Sequence, residues 1–215
     1  FWIILFKTIL SKLYHWKIYV VGSVEYQYPN HLFQAGYFLD KKYYDENTID
    51  FKHLLLSEKN QSLLKDIQNS NSVGVHIRRG DYMTKQNLVI FGNICTQKYY
   101  HDAIRIITEK VNDAVFYVFS DDISWVQTHL DIPNAVYVNW NTGESSIYDM
   151  YLMSSCKYNI IANSTFSYWA ARLNKKTNMV IYPSKWYNTF TPDIFPESWC
   201  GICLLYTSPS PRDCS

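Results

Sequence analysis

Two adjacent arginines stand where a short apolar strand is expected to run into a loop. Arg78 and Arg79 follow the apolar run Val73–Ile77 and precede Gly80 and Asp81. A guanidinium is a planar, permanently charged fork of donors that suits phosphate oxygens, and glycine lets the backbone approach a ligand closely. A nucleotide-diphosphate site needs such a basic turn, although the two arginines could equally form surface ion pairs. Because neighbouring residues of an extended segment point in opposite directions, we expect one arginine on the phosphate and the other in a structural role.

Two more polar clusters follow predicted strands. Asp121 and Asp122 could hold a divalent metal, accept hydrogen bonds from a ribose, or cap the next helix and offset its dipole. Capping is favoured for Asp121, and for Asp122 both interpretations stay open. Asn163, Ser164 and Thr165 precede an apolar helical stretch. Backbone N–H groups and hydroxyls could cradle a phosphate there, or Ser164 could simply act as the N-cap.

The hydrophobic pattern alternates between strands and helices from residue 73 onwards. Strands are predicted at 73–77, 114–119, 135–138, 158–162 and 179–182, with helices after 96, after 120, at 146–155 and at 165–173. Strands that are apolar on both faces indicate a parallel sheet covered by helices on both sides, so the fold class is α/β. Ligands of such sheets bind beyond the carboxyl ends of the strands. The polar clusters all fall at this edge: His76–Tyr82, Ser120–Asp122, Asn139–Asn141, Asn163–Thr165 and Pro183–Trp186.

The remainder of the chain divides into two further parts. The pattern of residues 1–72 predicts helices near 1–14 and 49–68, followed by a polar break at 69–72. Residues 73–203 are predicted to form the sheet domain. Residues 204–215 have no periodicity and contain two Ser-Pro steps, which we interpret as translated sequencing-adaptor read-through that forms a disordered tail. The chain starts at Phe1 and contains 7 glycines, a small number. Both features indicate a fragment that has lost a glycine-rich amino-terminal segment.

Composition excludes several classes of function. A net charge of +1 provides no general attraction to nucleic acid. The sequence contains no run of eighteen apolar residues, the length that a membrane-spanning helix needs. The 5 cysteines are odd in number and dispersed, which argues against a disulfide framework and for a reducing compartment. The pair at Cys200 and Cys203 lacks the second pair or the histidines that a zinc site needs, so we expect no metal. Asn60 and Asn163 match the N-glycosylation pattern, but Asn163 is expected to be buried.

Five segments together resemble the family 11 glycosyltransferases, the α-1,2-fucosyltransferases that use GDP-fucose. They come in the order of the family's motifs: His76–Tyr82, Phe119–Trp125, Asp149–Ser154, Asn163–Trp169 and Pro196–Trp199. Gly36–Phe38 with Lys42–Tyr44 resembles the linker before the basic motif. Two departures stand out. Tyr168 replaces a frequent tryptophan, and the glycine-rich amino-terminal motif of the family is absent.

The resemblance implies a GT-B-type fold with a Rossmann-like parallel sheet domain, here joined to a truncated helical amino-terminal part. It implies an inverting, metal-independent enzyme of the EC 2.4.1 class that needs no cofactor. The donor-binding residues implied are His76, Arg78, Arg79, Asp121, Asp122, Asp149, Ser164, Thr165 and Phe166. Arg78, Arg79 and Asp81 are the catalytic candidates, with an arginine on the β-phosphate and Asp81 as the nearest carboxylate for the acceptor hydroxyl.

The expected function is inverting transfer of L-fucose from GDP-fucose to the 2-hydroxyl of a terminal galactoside. The partners would be GDP-fucose and a galactose-terminated glycan, without nucleic acid and with at most a peripheral membrane contact. A bacterial-type enzyme would be cytoplasmic or peripheral, and a eukaryotic one would lie at the Golgi membrane. The alternative is a non-catalytic module of the same fold that binds GDP or sugar.

Overall fold

The computed structural model describes residues 19–22, 33–36 and 51–202. The chain divides into two compact units, residues 1–45 with 192–194 and residues 46–191 with 195–215. In the first unit, strands β1 (Tyr19–Gly22) and β2 (Phe33–Gly36) pair in parallel. None of the helices within the described ranges is long and apolar enough to cross a membrane. The helix predicted at 1–14 and the tail at 204–215 lie outside the described residues.

The second unit contains a six-stranded sheet in which every pairing is parallel. In chain order its strands are β3 (Asn71–Ile77), β4 (Ala114–Ser120), β5 (Ala135–Val138), β6 (Tyr158–Ile160), β7 (Met179–Pro183) and β8 (Cys200–Ile202). Their spatial order is β5-β4-β3-β6-β7-β8. This confirms the predicted α/β fold with a Rossmann-like sheet. The order reverses between β3 and β6, and the crevice at that point is where sheets of this kind bind their ligands.

Six helices accompany the sheet in the part of the chain that the structure describes. They are α1 (Glu58–Asn69), α2 (Lys85–Phe91), α3 (Gln97–Lys110), α4 (Ile123–His129), α5 (Ser146–Ser154) and α6 (Thr165–Arg172). The first four begin at a side-chain cap that accepts the N–H three residues on: Ser57, Thr84, Thr96 and Asp122. Short 3₁₀ turns occupy Gly80–Met83 and Gly143–Ser145. The cap at Thr96 confirms the predicted start of α3.

The sheet separates two hydrophobic cores because successive strand residues point to opposite faces. Val73, Val75 and Ile77 of β3 pack in one core with residues of α3 and α4. The second core joins neighbouring strands to α1, α5 and α6, and it includes Leu63 and Ile67 of α1. His76 points to this second face, because its neighbours Val75 and Ile77 point to the first one. Helix α1, which lies within residues 1–72, thus shares this core with the sheet.

Several elements differ from the sequence prediction. The strand at 179–182 is not the last, since β8 pairs beyond it, and β6 ends at Ile160 where the sequence predicted 162. Helix α2 was not predicted at all. Cys95 and Cys156 carry free thiols, as expected, but Cys200 is disulfide-bonded. The dispersed spacing of the cysteines gave no sign of this bond.

Candidate functional site

Arg78 leaves the carboxyl end of β3 and is held between two carboxylates. Its Nη2 lies 2.6 Å from Asp81 Oδ1, and its Nη1 lies 2.7 Å from Asp121 Oδ2. The side chain keeps 34% of its surface exposed, so the pair is open to solvent on one side. Two charge-assisted bonds fix the direction of the guanidinium, and an incoming anion has to share or replace one of them.

Arg79 is held by a different set of groups. Its Nε lies 3.2 Å from Asp122 Oδ2, and its guanidinium carbon lies 3.6 Å from the ring centroid of Trp125. Its backbone N–H donates to Asp121 Oδ1 at 2.9 Å. Among the described residues, the two terminal nitrogens of Arg79 have no hydrogen-bond partner. Both arginines are therefore ion-paired, whereas the sequence predicted a structural role for only one of them.

The structure assigns the capping role to Asp122, for which the sequence left both interpretations open, and a different role to Asp121. Asp122 is the N-cap of α4, because its Oδ1 accepts the N–H of Trp125 at 3.1 Å. Asp121 was expected to cap, but its carboxylate faces back to the loop after β3 and binds both arginines there. A Cβ at Gly80 would overlap Asp121 Oδ2, so this close approach requires glycine.

A cavity of about 240 Å³ opens beside the two arginines. The Tyr82 ring forms part of its wall and stacks on Phe91, with ring centroids 4.4 Å apart and planes 13° from parallel. Its lining residues come from the end of β3 and the loop after it, from α2 through the start of α3, and from Trp125 and Asn163: Ile77, Arg78, Arg79, Tyr82, Met83, Leu88, Phe91, Gly92, Asn93, Cys95, Thr96, Gln97, Tyr100, Trp125 and Asn163. The cavity thus combines two cations with aromatic and aliphatic walls.

Asn163 closes the bottom of this cavity and is 2% exposed. Its Nδ2 donates to the Trp186 backbone carbonyl at 3.0 Å, and the backbone carbonyl of Asn163 accepts a hydrogen bond from the Tyr82 hydroxyl at 2.9 Å. The Cys95 thiol donates to Asn163 Oδ1 at 3.4 Å, and burial raises the pKa of that thiol to about 12. Cys95 is therefore a packing residue and a poor nucleophile at neutral pH. Burial of Asn163 also confirms that its glycosylation pattern is inaccessible.

The start of α6 faces the switch point after β6. Ser164 is its N-cap residue, yet the Ser164 side chain makes no cap hydrogen bond to the described residues, unlike the caps of α1 to α4. Ser164 is buried and Thr165 is exposed. The first N–H groups of α6 consequently lack a side-chain acceptor, which is the arrangement that suits an anion.

His76 lies next to this helix start and is 6% exposed. Its ring centroid is 5.0 Å from that of Phe166, and within the described ranges its Nδ1 has no hydrogen-bond partner. Burial, aided by the charge of Arg78, lowers the pKa of His76 to about 3. The imidazole is neutral at physiological pH, with a buried polar atom left for a ligand to satisfy.

Asp149 belongs to a second polar cluster that the sequence detected only in part. Its Oδ1 accepts Asn141 Nδ2 at 2.7 Å, and Asn141 Oδ1 accepts Asn60 Nδ2 at 3.0 Å. Asn60 Oδ1 also accepts Trp140 Nε1 at 2.7 Å. Asn60 is 1% exposed, so its glycosylation pattern is inaccessible too. The sequence placed Trp140 and Asn141 at the carboxyl edge of the sheet, but the contribution of α1 through Asn60 had no sequence signal.

The structure therefore brings most of the predicted site residues to one edge, in two groups. His76 is the last residue but one of β3, and the others follow the carboxyl ends of β3, β4 and β6: Arg78, Arg79, Asp81, Asp121, Asp122, Ser164, Thr165 and Phe166. Asp149 makes its contact with the loop after β5 instead. Trp125 and Asn163 were recognised in the sequence only as parts of longer motifs, and their contacts make them supports of the arginine loop.

Replacing Asp149 with asparagine is expected to stabilise the protein progressively as the pH rises from about 4 to about 7, with little further change at higher pH. Burial, opposed by Asn141, raises the pKa of the Asp149 carboxyl to about 7, against about 3.9 in an unfolded chain. A raised carboxyl pKa means that stability is lost as the pH rises from the unfolded pKa up to the folded pKa. The asparagine side chain cannot ionise and avoids this loss, which amounts to a few kcal/mol at most, at about 1.4 kcal/mol for each unit of pKa shift.

The measurement is urea unfolding of both proteins at several pH values, with the difference in free energy plotted against pH. The lowered pKa of His76 has the opposite effect on stability, which falls as the pH drops below 6.5 towards 3. Because both proteins contain His76, this effect cancels in the difference. Asp131→Asn, at an exposed position, is the matched control and should give a flat difference. A flat difference for Asp149→Asn as well would show that the carboxyl is not buried as described.

The sequence matches the model of the family described as glycosyl transferase family 11 over residues 6–203. The chain belongs to glycosyl transferase family 11. Its six-stranded sheet is a Rossmann-like domain of the GT-B fold that this family has. The family resemblance inferred from the motifs is therefore confirmed at the level of the family.

Curated relatives in this family act on different sugars. The chain is 35% identical to an alpha-1,2-colitosyltransferase of Escherichia coli over 196 residues, covering 84% of this chain and 63% of that protein. It is 41% identical to the O-antigen biosynthesis glycosyltransferase WbnK of Escherichia coli over 138 residues, covering 63% of this chain and 46% of that protein. It is 28% identical to galactoside alpha-(1,2)-fucosyltransferase 2 of Pongo pygmaeus over 163 residues, covering 70% of this chain and 48% of that protein. The chain thus spans about half to two thirds of the length of these relatives.

Proposed function

We propose that the protein to which this chain belongs transfers L-fucose from GDP-fucose to the 2-hydroxyl of a terminal galactoside, with inversion. The observation that carries the proposal is the position of Arg78 and Arg79. They extend from β3 at the switch point of a family 11 sheet, beside the uncapped start of α6. Positive charge and free N–H groups converge there on the place where a diphosphate would lie.

The arginines would act on the charge that develops as the bond between the sugar and the β-phosphate breaks. Negative charge grows on the diphosphate during this step. Donors that are already oriented stabilise that charge more in the transition state than in the ground state. Arg78, with 34% of its side chain exposed, is oriented by carboxylates before any ligand arrives. So is Arg79, whose two terminal nitrogens have no hydrogen-bond partner among the described residues. This supply of charge by side chains is consistent with an enzyme that uses no metal, and transfer should persist in excess chelator.

The nucleoside would lie on the α5 and α6 side of the sheet. His76 has an unsatisfied Nδ1 on that face, and Phe166 offers a ring for a base or ribose to contact. Asp149 has one oxygen bound to Asn141, which leaves the other to accept N–H groups such as those of guanine. Asp121 and Asp122 are engaged with the arginines, so we assign them to holding that pair in place of contacting guanosine directly.

Asp81 is the candidate acceptor for the proton of the attacking hydroxyl. It is the most exposed carboxylate of the arginine cluster, at 56%, and its Oδ1 binds Arg78. A diphosphate that binds Arg78 would compete with Asp81 for the guanidinium. Binding of the donor would then release this carboxylate at the time when the acceptor hydroxyl needs a base.

The test is an assay of the full-length protein with GDP-fucose and with GDP-colitose, on acceptors that end in galactose. Colitose is fucose without its 3-hydroxyl, so the two donors differ by one polar group. Transfer from GDP-fucose, linked α-1,2, supports the proposal, and transfer from GDP-colitose alone would reassign the sugar. Calorimetric titration with GDP separates the alternative of a non-catalytic module, which would bind GDP and transfer neither sugar.

A further inference from the structure

We propose that Trp125 is a positioning residue that, together with Asp122, fixes the guanidinium of Arg79 at the cavity. This inference rests on the proposed function, because it takes Arg79 as a diphosphate contact. The Arg79 side chain is 18% exposed, and its guanidinium carbon lies 3.6 Å from the centroid of the Trp125 ring. At that distance a cation over an indole is attracted by the ring's electron-rich face.

The Trp125 ring is also held in place by a neighbour on its own helix. It stacks on His129 with centroids 4.5 Å apart and planes 10° from parallel. The His129 ring is fixed in turn, since its Nδ1 lies 2.9 Å from the Trp125 carbonyl and 2.7 Å from Thr128 Oγ1. One turn of α4 thus carries a rigid stack on which the arginine rests.

Asp122 links the start of α4 to the same guanidinium. Its Oδ1 accepts the backbone N–H of Trp125 at 3.1 Å, while its Oδ2 binds Arg79 Nε at 3.2 Å. Its own N–H donates to Ser120 Oγ at 3.1 Å. A single carboxylate therefore sets both the helix that presents the ring and the edge of the guanidinium that faces the protein.

The consequence is a fixed orientation for the part of Arg79 that stays free. With Nε on Asp122 and one face on Trp125, the two terminal nitrogens are the donors left for a ligand, and Arg79 and Trp125 both line the cavity. An unsupported arginine side chain has several rotatable bonds and loses their freedom on binding. A support that removes this freedom beforehand strengthens binding without touching the ligand.

The experiment is calorimetric titration of GDP into the 215-residue chain and its variants. Trp125→Leu removes the ring and is expected to weaken GDP binding roughly tenfold, within the range for a partly shielded cation–π contact. Trp125→Phe retains a ring face and should stay within about threefold of the wild type. Arg79→Ala should weaken binding at least as much as Trp125→Leu. Thermal unfolding checks each fold, and Trp125→Met replaces Trp125→Leu if the latter does not fold.

The double variant decides between positioning and direct contact. If Trp125 acts through Arg79, Trp125→Leu combined with Arg79→Ala binds GDP within about twofold of Arg79→Ala alone. A further tenfold loss in the double variant would mean that the ring contacts the ligand, and it would overturn the inference. If Arg79→Ala weakens GDP binding and Trp125→Leu does not, this inference alone fails. If neither Arg78→Ala nor Arg79→Ala changes GDP affinity, or if the wild type binds no GDP, the proposed function fails with it.

Discussion

Replacing Arg78 with alanine is expected to slow sugar transfer by the full-length protein about 10²–10³-fold, the usual loss when one oriented donor to a developing anion is removed. Arg78 is bound through both terminal nitrogens, so its charge is already aimed along the carboxyl edge of the sheet. Its removal leaves Asp81 and Asp121 without their cation and adds net negative charge where the diphosphate would lie. The measurement is the steady-state rate of transfer from GDP-fucose at saturating acceptor.

Arg105→Ala provides the matched control for this result. Arg105 lies on the exposed side of α3 and pairs with Asp102 and Glu109, so the substitution removes an ion-paired arginine away from the site. Its rate should remain within about twofold of the wild type. If neither Arg78→Ala nor Arg79→Ala slows transfer by as much as tenfold, the arginines are not the clamp on the leaving diphosphate.

Replacing Asn163 with aspartate is expected to destabilise the protein by about 3–5 kcal/mol at pH 7, as for other buried charges without a partner. Asn163 Nδ2 donates to the Trp186 carbonyl, and an ionised carboxylate in its place would face that carbonyl with no proton. The site is 2% exposed, so water cannot compensate. Urea unfolding of the wild type and the variant gives the difference in free energy.

The penalty should also depend on pH. A carboxyl group buried in this way has a raised pKa, so the variant should lose stability as pH rises from about 4 towards neutrality. Asn178→Asp, at an exposed position, makes the same chemical change and should alter stability by less than about 0.5 kcal/mol. If Asn163→Asp is as stable as this control, Asn163 does not hold the segments of Tyr82 and Trp186 through buried hydrogen bonds.

The sheet could be predicted from the sequence because its strands are short apolar runs separated by amphipathic helices. Val73–Ile77 and Ala114–Ser120 carry apolar residues on both faces. This pattern is typical of a sheet that is covered by helices on both sides. Strand β8 was missed because Cys200–Ile202 is three residues long and follows an irregular stretch. Helix α2 was missed because it is seven residues long and its apolar residues form one continuous run, Leu88–Phe91, instead of recurring at helical spacing.

The site could be predicted only as far as its position along the chain. Strand ends placed the arginines, the aspartates and the start of α6 at one edge, but they do not specify which neighbour pairs with which. Asp121 and Asp122 are adjacent carboxylates with the same local signal, and only the path of the Gly80 turn decides that Asp121 pairs with Arg78 while Asp122 caps α4 and pairs with Arg79. The link from Asn60 to Asn141 spans 81 residues and depends on the packing of α1, which no local pattern encodes.

The central place of β3 also bears on how the site is assembled during synthesis. Every pairing in the sheet is parallel, so each neighbour is reached only after a crossover, and β6 emerges long after β4. A growing chain that has reached α4 can already form the contacts among Arg79, Asp122 and Trp125. The start of α6 at Ser164 and Phe166 comes about forty residues later, so a chain arrested between the two would display the cation without the helix start that completes the proposed diphosphate site.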